Sequence, residues 1–463
     1  MFIDVLVAEI GSTTTLVNAF SGIAGDAPRF VAQGQAPTSV LEGDVRVGLR
    51  GAIADMQAKE GWDSLEYGEM FATSSAAGGL RMCVCGLVYD MTVKAAEAAA
   101  LGAGAIVKLA TAGKLSEFDL MDLQAAQPNL ILLAGGTDYG ERETALFNAE
   151  RIAESGLRAP VIYAGNVQNQ THIKTIFEHA GVPCTVTENV YPKLDLLNIE
   201  PARRIIHAVF EEHIIKAPGM EHIRDMVTGA ILPTPGAVME AAQLLYSEIG
   251  DLVVVDIGGA TTDVHSVTAG SDEIASIQTR PEPFAKRTVE GDVGMRYSIH
   301  GIVDAAGLDA VAEAAGIAPA RVQELVDFLG THTDVLPDTP ELAALDEALA
   351  SYAIRTAVTR HAGRIEEVYT MMGLAYAQTG KNLMNVERLV VTGGSLIHTK
   401  NTGKIASYAL YDPQDPASLK PRRAELLVDR KYILAAMGLL SKHYPEAALT
   451  IMKEELENDG LAE

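Results

Sequence analysis

The sequence of 463 residues has few cysteines and few aromatic residues. Its three cysteines, Cys83, Cys85 and Cys184, cannot form a framework of disulfides, and this scarcity is typical of a chain from a reducing cytoplasm. Aromatic residues make up only 5% of the chain, although 48% of its residues are hydrophobic. We therefore expect cores packed mainly by Ala, Val, Leu and Ile.

Basic residues are also in short supply, with 36 Lys and Arg against 61 Asp and Glu, and the net charge is −25. An acidic surface repels phosphate backbones and anionic lipid headgroups, so neither nucleic acid nor a membrane is expected as a partner. No apolar run approaches the roughly 20 residues needed to cross a bilayer. The start, Met1–Val5, lacks the basic region of a signal peptide, and we expect a cytoplasmic protein.

The Walker A pattern of nucleotide-binding proteins is missing, but a different pattern occurs twice. Val7–Thr14 and Val254–Thr262 each contain an apolar strand, an acidic residue, an apolar residue, glycine, small residues and a Thr pair. Each continues as a second strand, which predicts two β-hairpins far apart in the chain. A single such turn is common by chance, whereas two matched copies favour a shared function over two ordinary tight turns.

The residue types in these turns suit phosphate binding. Glycine lets the backbone approach a ligand closely, and turn N–H groups and hydroxyls donate hydrogen bonds to phosphate oxygens. The carboxylates at the strand ends, Glu9 and Asp256, suit Mg²⁺ held through water. The predicted phosphate-binding residues are Gly11, Ser12, Thr13, Thr14, Gly258, Gly259, Thr261 and Thr262.

A third loop fits the same interpretation. Arg388–Ser395 is an apolar strand that ends in Gly393, Gly394 and Ser395. A glycine pair lets a base or ribose lie against the backbone without Cβ interference. Alone it could be a strand-to-helix turn, but after two hairpins in this order it predicts an adenosine-binding loop and hence ATP as the ligand.

Between these motifs, strands and helices alternate, which predicts βαβ units. Ala230–Gly236 is interpreted as a junction, and a long helix is expected over about Glu341–Ala377. The acidic tail Lys453–Asp459 is expected to be a solvated helix end. The Cys83-x-Cys85 pair could be metal ligands, but no further ligand motif accompanies it, so we interpret the pair as core residues.

The order of two hairpin loops and a Gly-Gly loop resembles the actin, Hsp70 and sugar-kinase superfamily of ATPases. This resemblance covers nearly the whole chain and implies an α/β fold of two ribonuclease-H-like halves with an ATP cleft between them. It implies a catalytic role for Asp256, as Mg²⁺ ligand or in orienting water. The family usually has Asp at the first loop, where this chain has Glu9, so slow hydrolysis is one expectation.

The expected domain boundaries follow from the same resemblance. Residues 1–247 would form the first ATPase half, with an inserted α/β region at about 80–225 and a C-terminal helix 431–463 joining it. Residues 248–430 would form the second half.

A narrower resemblance is carried by four segments. Val7–Phe20, Ala72–Met82, Pro233–Val238 and Arg287–Arg296 are similar to the MutL/GlmL family that accompanies glutamate mutase, which is distinct from the DNA-repair protein of the same name. The resemblance implies an ATPase that reactivates or assembles an adenosylcobalamin-dependent mutase, with the mutase subunits as partners. A small-molecule kinase for a sugar or carboxylate and an ATP-gated scaffold without hydrolysis stay open, as does formation of a homo-oligomer.

Two further loops are candidate cleft residues. One is Gly135, Gly136, Thr137 and Asp138 at the end of a predicted strand, where ligands often bind. The other contains Glu290 and Asp292 between glycines. Both loops could equally be plain turns that cap a following helix.

Overall fold

The computed structural model describes residues 1–11, 14–25, 27–75, 80–229, 231–371 and 373–462. These residues form two compact units, each with its own core. Unit 1 contains Met1–Ala241 and Ala435–Ile451, and unit 2 contains Ala242–Leu434 and Met452–Glu463. No helix among the described residues is long and apolar enough to cross a membrane.

The secondary structure of the described residues is as follows. The strands are β1 (Phe2–Ile10), β2 (Thr14–Ser21), β3 (Arg29–Pro37), β4 (Glu66–Ser74), β5 (Arg81–Gly86), β6 (Ile106–Ala112), β7 (Leu130–Leu133), β8 (Val161–Tyr163), β9 (Cys184–Val186), β10 (Ile231–Pro233), β11 (Leu252–Ile257), β12 (Thr262–Val267), β13 (Ala285–Glu290), β14 (Arg364–Thr370), β15 (Gly373–Thr379), β16 (Arg388–Thr392), β17 (Ala424–Val428) and β18 (Glu457–Ala462). The helices are α1 (Val45–Glu60), α2 (Lys94–Gly102), α3 (Glu117–Ala126), α4 (Glu143–Glu154), α5 (Gln170–His179), α6 (Glu200–Ile215), α7 (Thr234–Ile249), α8 (Ile299–Ala306), α9 (Leu308–Ala315), α10 (Pro319–Thr331), α11 (Pro340–His361), α12 (Gly394–Ile397), α13 (Thr402–Ser407), α14 (Leu434–Leu440) and α15 (Pro445–Glu455).

The first sheet of unit 1 has the strand order β3-β2-β1-β4-β10. β2 is antiparallel to both of its neighbours, whereas β1, β4 and β10 run parallel to one another. Helix α1 packs closely on this sheet, since a Cβ at Gly34 in β3 would clash with the backbone of Ala52 in α1. The order 3-2-1-4-5 with an antiparallel second strand is that of a ribonuclease-H-like fold.

A second sheet in unit 1 is inserted between β4 and β10. Its order is β6-β5-β7-β8-β9 and all of its strands are parallel. One face shares a core with the first sheet, and the other face, with Cys83 and Cys85, packs against α3, α4 and α5. Burial raises the pKa of Cys83 to about 11 and that of Cys85 to about 12, as expected of inert core thiols. The interpretation of the pair as core residues is confirmed.

Unit 2 repeats the topology of the first sheet. Its order is β13-β12-β11-β16-β17-β18, with β12 antiparallel to its neighbours and β11, β16 and β17 parallel. The first five of these strands again have the order 3-2-1-4-5, and β18 adds an antiparallel edge. The predicted fold class, α/β with two ribonuclease-H-like halves, is confirmed.

The prediction of one long helix over residues 341–377 is wrong for the second half of that range. Helix α11 begins after Thr339, whose side chain accepts a hydrogen bond from the N–H of Leu342, and it ends at His361. The hairpin β14–β15 follows. Gly363 and a segment rich in β-branched and aromatic residues explain the change, since such residues favour an extended chain over a helix.

The C-terminal segment expected as helix 431–463 is also different. It contains the two helices α14 and α15, and then the strand β18, which pairs with β17. The acidic tail predicted as a helix end therefore lies partly in this strand. Residue 230 of the expected junction 230–236 lies outside the described residues. The rest of it is the strand β10 followed by the start of α7, since Pro235 fits the first turn of a helix, where no N–H partner is needed.

Candidate functional site

The first predicted hairpin joins β1 to β2 in unit 1. Its strands pair in register up to Ile10 opposite Thr15, and the N–H of Gly11 donates a hydrogen bond of 3.0 Å to the carbonyl oxygen of Thr14. The hydroxyl of Thr38 holds the turn from the side by donating to the carbonyl oxygen of Gly11 at 2.9 Å. Two of the predicted phosphate-binding residues, Ser12 and Thr13, lie outside the described residues.

The second predicted hairpin joins β11 to β12 in unit 2 and has the same closure. Its strands pair up to Ile257 opposite Thr262, and the N–H of Gly258 donates to the carbonyl oxygen of Thr261 at 2.9 Å. The acidic residue holds the same place in both copies, one residue before the end of the first strand. The two hairpins therefore match in backbone geometry as well as in sequence.

The neighbouring parallel strand completes the match. Glu9 is registered with Thr73 of β4, and Asp256 is registered with Thr392 of β16. Each acidic side chain thus has a threonine beside it on the adjoining strand. The buried hydroxyl of Thr73 has no hydrogen-bond partner within the described residues, whereas the hydroxyl of Thr392 donates to Asp429 at 3.1 Å.

The loop that follows β13, here called the supporting loop, is hydrogen-bonded to the second turn. The carbonyl oxygen of Gly258 accepts from the N–H of Met295 at 3.0 Å, and that of Gly259 accepts from the N–H of Tyr297 at 2.9 Å. Gly294 is required here because a Cβ would clash with the backbone of Ala260. Backbone hydrogen bonds from the supporting loop therefore hold the second turn in place.

The predicted cleft residues Glu290 and Asp292 belong to this supporting segment. Arg360 of α11 donates from Nη1 to Glu290 at 2.8 Å and to Asp292 at 2.7 Å. This hydrogen bonding lowers the pKa of Asp292, while burial raises the pKa of Glu290 despite the same arginine. Both carboxylates are thus near the second hairpin, in contact with an arginine.

The predicted adenosine loop lies beside the second hairpin. Gly393 has φ +99°, and a Cβ on it would clash with the carbonyl oxygen of Ile257, the residue before the second turn. Gly394 is exposed, and a Cβ there would meet no atom within 4 Å. Ser395 is half-buried in the short helix α12. Three predicted elements of unit 2, namely Asp256, the second turn and the Gly-Gly loop, are therefore brought together.

Asp256 lies in a group of acidic side chains. Burial is the main reason that its pKa is raised to about 7, and the charges of Asp263 and Asp429 raise it further. Arg287 opposes this effect, and its Nη2 contacts Asp263 at 2.6 Å. A carboxylate that titrates near neutral pH has the proton affinity expected of a general base.

Asp429 and Arg287 were not predicted as site residues. Asp429 is buried behind Asp256 and accepts hydrogen bonds from Thr392 and from the N–H groups of Ile433 and Leu434. Burial raises its pKa as well. The available signal in the sequence was an Asp placed directly after the apolar run that forms β17, the same arrangement as at Glu9 and Asp256.

The donor set around Asp256 can be compared with what Mg²⁺ requires. Among the described residues no group of three or more His, Cys, Asp or Glu is arranged to hold a metal ion. Mg²⁺ commonly keeps several waters and takes one or two protein carboxylates together with substrate phosphates. Asp256, with Asp263 beside it, fits that incomplete donor set, and Glu9, which is 8% exposed, offers one carboxylate in unit 1.

The other predicted cleft loop, residues 135–138, belongs to the inserted sheet. It follows β7, and Gly135 and Gly136 adopt φ values of +148° and +70°. The side chain of Asp138 accepts hydrogen bonds of 3.0 Å from the N–H of Val167 and from Asn189. The loop thus holds the carboxyl ends of β7, β8 and β9 together, in a different sheet from the first hairpin.

Comparison with known proteins assigns the family. A family described as "MutL protein" matches residues 5–456 of the chain. Protein MutL of Clostridium tetanomorphum is 40% identical over 463 residues, covering 97% of this chain and 98% of that protein. The chain belongs to the MutL protein family. The narrower resemblance inferred from the sequence is confirmed, and the matched hairpins are therefore features of a MutL family member.

Several solved structures show more distant likeness. The nucleotide-free acetone carboxylase matches with a TM-score of 0.39 and 12% identity, covering 95% of this chain and 70% of that chain. A nucleotide-free diol dehydratase-reactivating factor matches with a TM-score of 0.38 and 10% identity, covering 96% and 100%. The activator of 2-hydroxyisocaproyl-CoA dehydratase from Clostridium difficile, with bound ADPNP, has a TM-score of 0.30 and 9% identity, covering 98% of both chains.

Proposed function

We propose that this MutL family member binds Mg-ATP and hydrolyses it to reactivate or assemble an adenosylcobalamin-dependent mutase of the glutamate mutase type. The observation that supports ATP binding most directly is the pair of matched hairpins, each closed by a hydrogen bond from a glycine N–H to a threonine carbonyl oxygen. Turns of this kind present backbone N–H groups that suit phosphate oxygens. Membership in the MutL family supports the mutase as client.

In this proposal the residues of unit 2 carry the chemistry. Mg²⁺, when bound, would offset the charge of the triphosphate. Asp256 would accept a proton from the attacking water or hold a water of the cation. Gly258, Thr261 and Thr262 would bind phosphate, and Gly393, Gly394 and Ser395 would contact the adenosine. The supporting loop, through Met295 and Tyr297, would keep the turn in place during turnover.

Unit 1 would contribute to nucleotide binding more than to catalysis. Gly11 to Thr14 would bind phosphate, and Glu9 would reach the cation through water. Opposite Glu9 on β2 lies the apolar Leu16, whereas opposite Asp256 on β12 lies the acidic Asp263. The two acidic residues therefore differ in the residue that faces each of them across its hairpin.

A second candidate function is supported by the raised pKa of Asp256. A base that titrates at about pH 7 could deprotonate the hydroxyl of a sugar or hydroxy acid as readily as water. The chain would then be a small-molecule kinase. Hydrolysis with a protein client and phosphoryl transfer to a small acceptor give different products from the same site.

One experiment separates these functions. ATP turnover is measured alone, with glutamate mutase whose cobalamin has been inactivated, and with a panel of sugars and carboxylic acids. The proposal predicts release of the damaged cobalamin and recovery of mutase activity that require ATP. A phosphorylated acceptor would support the kinase instead. Nucleotide binding without turnover in any of these mixtures would leave an ATP-gated scaffold.

A further inference from the structure

The inserted sheet of unit 1 exposes apolar side chains along one edge. In the order β6-β5-β7-β8-β9 the chain adds strands to one side of β5 and then to the other, so β5 and β7 flank a topological switch point. In open parallel sheets ligands bind beyond the carboxyl ends of the strands at such a point. The loops after β5, β7, β8 and β9 carry large hydrophobic residues exposed by 39–78%. These residues are Val88, Tyr89, Tyr139, Val167, Leu194 and Leu196, here called the edge patch.

Three of the loops of the edge patch, those after β7, β8 and β9, are bound to one another. The N–H of Tyr139 donates to the side chain of Asn166 at 3.2 Å, and the N–H of Val167 donates to Asp138 at 3.0 Å. The N–H of Asp138 donates in turn to the carbonyl oxygen of Pro192 at 2.9 Å, which attaches the loop that carries Leu194. The exposed side chains of Tyr139, Val167, Leu194 and Leu196 are therefore carried by loops that are fastened to one another.

Two backbone outliers occur in the same loops. Tyr139 has φ +63° and Asp195 has φ +60°, values that residues other than glycine seldom adopt. The Tyr139 ring is 78% exposed, and Asp195 lies between Leu194 and Leu196, which are 69% and 47% exposed. The N–H of Tyr139 donates to the side-chain oxygen of Asn166, and the N–H of Asp195 donates to the hydroxyl of Tyr191 at 3.0 Å, which holds these conformations. Strained backbone that turns apolar side chains toward solvent is typical of a binding surface.

The size and charge of the edge patch indicate its occupant. Four neighbouring strands span three intervals of about 4.8 Å, or about 14 Å before the loops are counted, and exposed apolar side chains spread over such a width mark a protein interaction site. The loops that carry the patch contain five acidic and two basic residues. These are Asp90, Asp138, Glu141, Glu188 and Asp195, with Arg142 and Lys193. Lys94, the first residue of α2, pairs with Asp90 at 3.4 Å, so the remaining loop residues give two more acidic than basic side chains.

We infer that the edge patch docks a protein partner whose own apolar surface is rimmed by Lys and Arg, and that this partner is a subunit of the client mutase. A second copy of the chain would bring two acidic rims together on molecules that each carry a net charge of −25. This inference rests on the proposed function for the identity of the client.

The test measures binding of the full-length chain to each purified glutamate mutase subunit by calorimetry. The double variant Tyr139→Asn and Leu194→Ser removes two of the most exposed side chains, and asparagine tolerates the left-handed backbone at position 139. We expect at least about tenfold weaker binding, since a few central aromatic and apolar residues dominate an interface. Binding should also weaken as salt rises.

Two matched controls complete the design. Phe118→Asn with Met121→Ser alters α3, which packs on the same inserted sheet, and these two side chains are 78% and 62% exposed. Tyr369→Ser with Tyr376→Ser alters the exposed hairpin β14–β15 of unit 2, where they are 85% and 54% exposed. Both controls should bind the mutase within about twofold of the unaltered chain, and basal ATP turnover should be unchanged in the edge variant.

The outcomes are distinguishable. If the unaltered chain binds neither subunit, the proposed client is wrong, and the inference falls with it. If the unaltered chain binds and the edge variant binds equally well, or if the hairpin variant is the one that loses binding, only the inference is overturned. If sedimentation shows that the chain self-associates and the edge variant does not, the occupant is a second copy, which also overturns it.

Discussion

The two hairpins have the same backbone geometry but differ in the side chains that surround their acidic residues. Glu9 in unit 1 has Leu16 opposite it and Thr73 beside it. Asp256 in unit 2 has Asp263 opposite it, and the charges of Asp429 and Arg287 act on it. A duplicated fold therefore supplies two matched places for phosphate, while the tuning of proton affinity seen at Asp256 depends on residues that come from the rest of unit 2.

The largest expected effect tests whether this asymmetry is functional. Asp256→Asn should lower ATP turnover by about 10²–10⁴-fold, the usual contribution of a general base, while nucleotide affinity changes little. Glu9→Gln should lower turnover by less than about tenfold. Steady-state turnover and nucleotide binding are measured on both variants. Equal losses would mean that the hairpins share the catalytic work.

The buried ion pair beside Asp256 gives the next largest effect. Arg287 is 4% exposed and donates from Nε to Asp263 at 2.8 Å. Arg287→Met should lower the free energy of unfolding by about 3–5 kcal/mol, because it leaves a buried carboxylate without its partner. Denaturant unfolding measures this. A smaller loss in the double variant with Asp263→Asn would show that the unpaired charge, and not lost packing, is responsible.

The Gly-Gly loop offers a comparison between adjacent residues. Gly393→Ala places a Cβ against the carbonyl oxygen of Ile257 at φ +99°, so we expect a loss of about 2–3 kcal/mol in the free energy of unfolding. Gly394→Ala meets open space and should change stability by less than about 0.5 kcal/mol. Denaturant unfolding of both variants is the measurement. Similar losses would contradict the close approach of the loop to β11.

The smallest effect is the dependence of stability on pH. The pKa of Asp256 is raised from 3.8 to about 7 in the folded chain, so its protonated form stabilises the fold at acid pH. That contribution is lost as pH rises through about 7. In the Asp256→Asn variant the free energy of unfolding should therefore change less between about pH 4 and pH 7. At pH 8 it should be higher than that of the unaltered chain by about 1–2 kcal/mol. Asp292→Asn should leave this slope in place.

Strongly apolar strands could be predicted from the sequence because their signal is local. Dense runs of Val, Ile and Leu predicted β1 and β11, and the Thr pairs that follow predicted β2 and β12. Both ribonuclease-H-like sheets then followed from a resemblance in the order of motifs. The C-terminal strand β18 was missed, because its acidic sequence becomes a strand only by pairing with β17.

The surroundings of the site could not be predicted in the same way. Arg287 reaches Asp263 through the pairing of β13 with β12. Asp429 follows β17, which comes near Asp256 through pairing with β16, far along the chain from β11. The helix α7 was missed although its signal is local. Two prolines near its start suggested a break, although proline is well suited to the first turn of a helix.

The position of the inserted sheet has a consequence for how this family can diverge. β4 and β10 are parallel neighbours, and a parallel pair requires a crossover connection of at least about a dozen residues. The whole inserted sheet serves as that crossover, leaving after Ser74 and returning at Ile231, which is registered with Ala72. Recombination could therefore exchange this segment as a unit. The condition is that the face of the new segment still fits the core that the inserted sheet shares with β1. The hairpin turns would keep their strand register.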